Sequence, residues 1–309
     1  MSDPITAFRV PFAFVDVFAD RPLTGAPLPV VTDANPLTDT QMRAIAREFN
    51  QSETTFLLDG TRPDVTRRLR SFTPTGEEVF GAGHNALGAW LWLASSGQLP
   101  LSDDETTFTQ EIGDAVLPVH VIRMDSQPIR VSMDQAPPRF GGTVTNYAAL
   151  ANALGLNGED IITHRPAQVV STGAGHLLVE IRNRERVDQA VPDAEKLTAA
   201  LRQVGGEGCY LYTLDTVEVD ATAYARFFNP AMGIWEDPAT GTAAGPLVAA
   251  LVASGIVSDG AVAIIEQGHT QGRPSRIAVT VAGQRVRVSG SGIVVASGTL
   301  IVDADLPIG

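Results

Sequence analysis

The chain has 309 residues, 44% of them hydrophobic and 18% charged, which is enough to bury two packed domains or one large one. Its formal net charge of −13 argues against nucleic acid or an anionic membrane surface as the main partner, since both need clustered positive charge. A single cysteine, Cys209, excludes an intramolecular disulfide framework and a cysteine-rich metal site.

The opening MSDPITAFRV lacks the basic stretch and apolar run of a secretory signal, and no apolar run is long enough to span a bilayer, so a cytoplasmic location is expected. In chain order, β-branched and aromatic runs predict strands at 13–18, 53–58, 65–72, 116–122, 129–133, 176–181, 209–214, 262–267 and 277–281, with closing strands over 286–302. Helices are predicted over 38–49, with the capping-box pair Thr38 and Gln41, and over 193–204, opening on Asp193 and Glu195. Strands mixed with helices make the class α+β.

Two segments resemble each other, FTPTGEEVFGAGHNALGAWLWLASSG from Phe72 and FNPAMGIWEDPATGTAAGPLVAALVASG from Phe228. Phe72 and Phe228 lie 156 positions apart, as do Arg70 and Arg226, and so do ETTFLL from Glu53 and CYLYTL from Cys209. Gly83 and Gly241 lie 158 apart, so the second copy has gained two residues in the loop. A similarity at half the chain length predicts two similar domains, 1–124 and 125–309, with a linker near 124–128 and last strands that can cross back to the first domain. In each copy the helix after the loop, 84–96 and 242–254, is apolar on every side. Such a helix must be buried all round, inside a curved sheet. Its N-terminus offers backbone N–H groups and the positive end of a dipole, a place for a small anion.

Gly81 to Ala86 formally matches a dinucleotide fingerprint, but a turn with Gly76, Glu77 and Glu78 stands where a parallel strand should precede it. Phosphate-loop, His-Glu-X-X-His and nucleophile-elbow patterns are absent, and the five histidines are scattered singly, so no metal site is expected. Acid and base chemistry without a cofactor remains. Glu53 opens an otherwise apolar strand, where burial would raise its pKa toward neutrality; the alternative is a solvated glutamate at a strand edge. Asp237, ahead of a proline and a helix start, reads either as a turn or cap residue or as a site carboxylate.

Taken together, FVDVFADRPLTG, QSETTFLL, the Phe-Thr-Pro turn, AGHNALG, EDPATGTAAGP and QGHTQGRPS resemble the PhzF-like isomerases of phenazine biosynthesis, within the diaminopimelate epimerase fold. The resemblance implies a cofactor-free isomerase, a homodimer, in which a glutamate moves a proton on a small, cyclic, carboxylated substrate. The type reaction acts on a dihydro-hydroxyanthranilate. By position the resemblance makes Glu53, His84 and Asp237 catalytic and gives Thr242 the family's serine role, capping the helix and donating to substrate. Gly83, Asn85, Gly241, Thr242 and Ala243 would bind the anionic substrate at the helix ends, so that each domain supplies half a site. Fold relatives that racemise amino acids use one cysteine per domain; here Gly83 and Gly241 stand in the loops, and Cys209 lies in the strand register of Glu53, away from both loops. Gly25-Ala26-Pro27 departs from the family's Gly-Asn-Pro, which bears on substrate identity. Two other readings stay open, an idle metabolite-binding protein on the same fold and a nicotinamide oxidoreductase.

Overall fold

The computed structural model describes residues 7–102, 104–123 and 128–304. The chain divides into two compact units, one of residues 1–133 with 290–309 and the other of residues 134–289. Most of the expected linker, 124–127, lies outside the described residues.

The first unit runs β1 (Ala7–Val17), β2 (Ala26–Val31), α1 (Asp39–Phe49), β3 (Thr54–Leu58), β4 (Arg67–Phe72), β5 (Glu78–Val79), α2 (His84–Ser95), β6 (Asp104–Ile112), β7 (Ala115–Arg123) and β8 (Arg130–Gln135). The second runs β9 (Arg139–Thr143), α3 (Tyr147–Leu154), β10 (Gln168–Ser171), β11 (Gly175–Glu180), α4 (Arg184–Gln189), α5 (Ala194–Val204), β12 (Gly208–Thr213), β13 (Ala223–Asn229), β14 (Ile234–Asp237), α6 (Gly241–Ala253), β15 (Val262–Gln267), β16 (Ser275–Ala282) and β17 (Arg285–Asp303). The final fourteen residues of β17 belong to the first unit, where the stretch from Gly292 to Asp303 pairs antiparallel with β1.

Both units repeat one pairing pattern. In the first, β2 and β3 are parallel, β3, β4 and β5 antiparallel, and β4 returns parallel to β6. In the second, β11 and β12 are parallel, β12, β13 and β14 antiparallel, and β13 is parallel to β15. Glu111 accepts from the N–H and hydroxyl of Thr61, and Glu266 from the N–H groups of Val217 and Glu218. Arg70 forms a two-pronged pair with Glu78 and lies 5.0 Å over the Phe72 ring. Arg226 does the same with Glu236, 4.8 Å over Phe228. Because each Arg docks edge-on to a carboxylate and face-on to an aromatic ring, the clamp fixes the turn between them. The two extra residues sit inside the second turn, between Phe228 and Glu236, where Pro230–Met232 forms a short 3-10 turn.

The apolar helices are buried as the sequence requires: in α2 ten of the twelve residues are buried, including Trp90 and Leu93 at zero exposure. Gly88 lets α2 lie against the strands, since a Cβ there would come within 2.6 Å of both Leu28 and Val17. α6 packs on β10, β11 and β16. Amphipathic helices cover the other face of each sheet. Met42, Ile45 and Ala46 of α1 meet Phe56 and Phe72, while Leu150, Leu197 and Leu201 of α3 and α5 meet Cys209, Leu211 and Phe228.

One register differs from the sequence reading. Phe72 pairs with Thr54, whereas Phe228 pairs with Cys209, so Thr54 and Cys209 are counterparts at an offset of 155 and not 156. Glu53 therefore corresponds to Gly208. Alternation along the strand puts Thr54 and Cys209 on the outer, helix-covered faces, which one residue of slip reverses. Sequence patterning did not mark β2, whose APLPVV carries two prolines, β6, with the polar run DETTFTQEI, or the short helix α3. Among the described residues no helix is long and apolar enough to cross a membrane.

Candidate active site

In the first unit, Asn50 ends α1 in the left-handed conformation (φ 49°), and three residues later Glu53 stands just before β3. Facing it is His84, the first residue of α2. His84 Nε2 lies 2.9 Å from Glu53 Oε2, with the two side chains only 9% and 16% exposed. Ser52 Oγ is 3.3 Å from the same nitrogen. Burial pushes the Glu53 carboxyl up, but the charge and hydrogen bond of His84, with help from Ser52, outweigh it and hold the group below the ordinary value of 4.5. This corrects the expectation of a pKa raised toward neutrality: a partner that the linear sequence places 31 positions away reverses the sign. Glu53 is thus a ready carboxylate base beside a proton-bearing imidazole.

Two other expectations in this unit change. Asn85, expected to bind substrate, is 3% exposed and bound to its own loop. Its Oδ1 accepts from Gly83 N–H at 2.8 Å, and its Nδ2 donates to Ser71 Oγ and Gly81 O at 3.1 and 3.0 Å. Asn85 braces the loop, and the Gly83 N–H is committed to it. The groups that helix geometry leaves for an anion are those of the first turn of α2, beginning with His84.

In the second unit, Asp237 ends β14 and is 7% exposed. Its Oδ2 accepts from the Thr240 hydroxyl at 2.5 Å. Thr240, not Thr242, stands at the N-cap of α6. Its carbonyl accepts from both Ala243 and Ala244 N–H, so the Ala243 N–H expected at substrate is also committed. Gly241 and Thr242 remain as first-turn donors, and Thr242 is partly exposed. Behind the loop Gln267 is fully buried and donates to the Asp237 carbonyl at 2.6 Å. Residue-type reasoning missed Gln267 and Thr240 as site residues, although QGHTQGRPS and EDPATG carry both.

Cys209 is fully buried, and burial pushes its thiol well up, as befits a core residue. The strand before Gly81 is β5, two residues long and antiparallel to β4, so the loop does not follow the parallel strand that a dinucleotide fingerprint needs.

Comparison with known proteins agrees with this architecture. The model of the phenazine biosynthesis-like protein family matches residues 15–298. A trans-2,3-dihydro-3-hydroxyanthranilate isomerase from Pseudomonas aeruginosa is 33% identical over 93% of this chain and 98% of its own. Among solved structures, one titled a predicted epimerase from the same organism is 35% identical, with a TM-score of 0.79 over 94% of this chain and 99% of that one. A PhzF-family phenazine biosynthesis protein from Bacillus anthracis is 25% identical, with a TM-score of 0.87 over 96% of this chain and all of that one.

Proposed function

Because this chain belongs to the phenazine biosynthesis-like protein family, we propose that it is an isomerase of the PhzF type in which Glu53 carries a proton between two positions of a small, cyclic, carboxylated substrate, of the class that the Pseudomonas aeruginosa relative isomerises. The observation that carries this reading is the Glu53–His84 pair at the start of α2, a nearly buried carboxylate kept ionised by its partner. The Glu53 carboxylate takes a proton from a carbon of the substrate, the electron pair moves into the adjacent unsaturation, and the same proton returns at the far end of that system. Substrate and product share one formula. The step needs no redox partner, because the electrons never leave the substrate.

His84 stabilises the charge on Glu53 before the transfer and on the substrate during it. To Asp237 we assign the amino or hydroxyl group of the substrate, and to the first-turn N–H groups of Gly241 and Thr242 its carboxylate. The test is Glu53→Gln, which keeps shape but cannot carry a proton. Turnover is expected to fall by about two to four orders of magnitude while ligand affinity changes little. Near-normal turnover by that variant on the true substrate would remove Glu53 from this role. Tight binding of cyclic acids with no turnover by the wild type would favour an idle binding protein on the same fold.

A further inference from the structure

Gln267, Tyr210 and Thr240 lie behind Asp237 and do not join it in the chemistry proposed above. Gln267 and Tyr210 are at zero exposure and Thr240 at 6%. The orientation of the Gln267 amide follows from two backbone groups. Thr240 N–H can only donate, and it meets one end of the amide at 3.1 Å, which is therefore Oε1. The Asp237 carbonyl can only accept, and it meets the other end at 2.6 Å, which is therefore Nε2. Tyr210 O–H gives Oε1 its second donor at 2.8 Å. The remaining proton of Nε2 points to Thr240 Oγ1 at 3.0 Å. With that oxygen already accepting, the hydroxyl proton of Thr240 is directed to Asp237 Oδ2, 2.5 Å away.

We propose that Tyr210, Gln267 and Thr240 form a positioning chain whose purpose is to fix one oxygen of the Asp237 carboxylate, so that Asp237 meets the substrate in a single orientation. Every link is a directed hydrogen bond: Tyr210 O–H to Gln267, Gln267 N–H to Thr240, Thr240 O–H to Asp237. The Gln267 amide also holds both ends of the 237–240 turn, through the Asp237 carbonyl and the Thr240 N–H, so rotation of the carboxylate and movement of the turn are restrained together. A buried network with every member satisfied rigidifies its neighbourhood, whereas removing one member leaves the others unsatisfied. The role given to Asp237 rests on the proposed function; the restraint on its side chain does not.

The test compares Thr240→Val, which keeps the shape but loses the hydroxyl, with Thr240→Ser, which restores it, and with Tyr210→Phe at the far end of the chain. Turnover, KM and a crystal structure are obtained for each. Thr240→Val is expected to lower kcat by about 10- to 100-fold with KM within about twofold, since a displacement on the order of 1 Å costs about 10²-fold. Thr240→Ser should recover most of that loss, and Tyr210→Phe should show a smaller loss of the same kind. In the Thr240→Val crystal the Asp237 carboxylate should be rotated or in two positions, and in Thr240→Ser it should be single. Equal kcat for Thr240→Val and wild type, equal loss in the valine and serine variants, or an unmoved Asp237 carboxylate in Thr240→Val would each overturn the proposal. If Thr240→Val does not fold, Tyr210→Phe decides: an unmoved Asp237 carboxylate with wild-type kcat overturns it. Wild-type protein inactive on every cyclic acid would defeat the functional reading, and the crystal structures would still decide this one.

Discussion

Replacing His176 by leucine should flatten the stability of this protein between neutral and mildly acidic pH. His176 lies on β11 at 3% exposure, with its ring in a T-shaped contact with Phe227 at a centroid distance of 4.9 Å. Among the described residues neither ring nitrogen has a hydrogen-bond partner. Burial alone lowers its pKa from 6.5 to about 4. Between those values the unfolded chain binds a proton that the folded chain refuses, so stability is fully present above the unfolded value and is lost as the pH falls toward the folded one. Each unit in that window is worth about 1.4 kcal/mol, and with partial titration at each end the loss at pH 5 is about 2 kcal/mol relative to neutral pH. Urea unfolding of wild type and His176→Leu at pH 7.5 and pH 5 measures it. The other histidines contribute equally to both proteins, so the difference between the two pH dependences isolates His176. Parallel pH profiles would show that His176 is solvated or partnered in the folded state and would refute the reasoning.

Two further outcomes follow from the geometry. With His84 replaced by glutamine, burial of Glu53 loses the imidazole charge that chiefly opposes it, and the acid limb of kcat/KM should move up, whereas in wild type it lies below the ordinary glutamate range; an unmoved limb would separate the pair functionally. Gly88→Ala adds a Cβ within 2.6 Å of Leu28 and Val17, so chemical denaturation should show a loss of about 1–3 kcal/mol from overpacking, and a neutral substitution would mean that α2 can shift away from its strands.

Glu53 and His84 were identifiable as a pair only through resemblance, because nothing in a strand-opening glutamate or a loop histidine announces the other. Asn85 shows the opposite difficulty. An amide at a helix start reads equally as a substrate donor or as a loop brace, and only its three bonds to Gly83, Ser71 and Gly81 decide between them. Thr240 and Thr242 both stand near the start of α6, and where the helix begins depends on backbone geometry that two hydroxyl residues so close together do not encode.

What the sequence by itself determined is whatever is local or periodic. It holds the two-fold repeat with its two-residue insertion, the all-round apolar helices that must be buried, the capping box at Thr38, and the cap at Asp193. The helices and caps depend on residue spacing along one element and the repeat on a fixed offset along the chain, so packing had only to comply. The tertiary structure decided the ladder register that makes Gly208, and not Cys209, the counterpart of Glu53, because register is set by which faces find cover. It also decided the direction of the Glu53 pKa and the chain from Tyr210 through Gln267 to Asp237, in which the partners stand 57 and 30 positions apart. Electrostatic and hydrogen-bond energies depend on distance and burial in space, and the order of residues along the chain specifies neither until the sheets have closed around their helices.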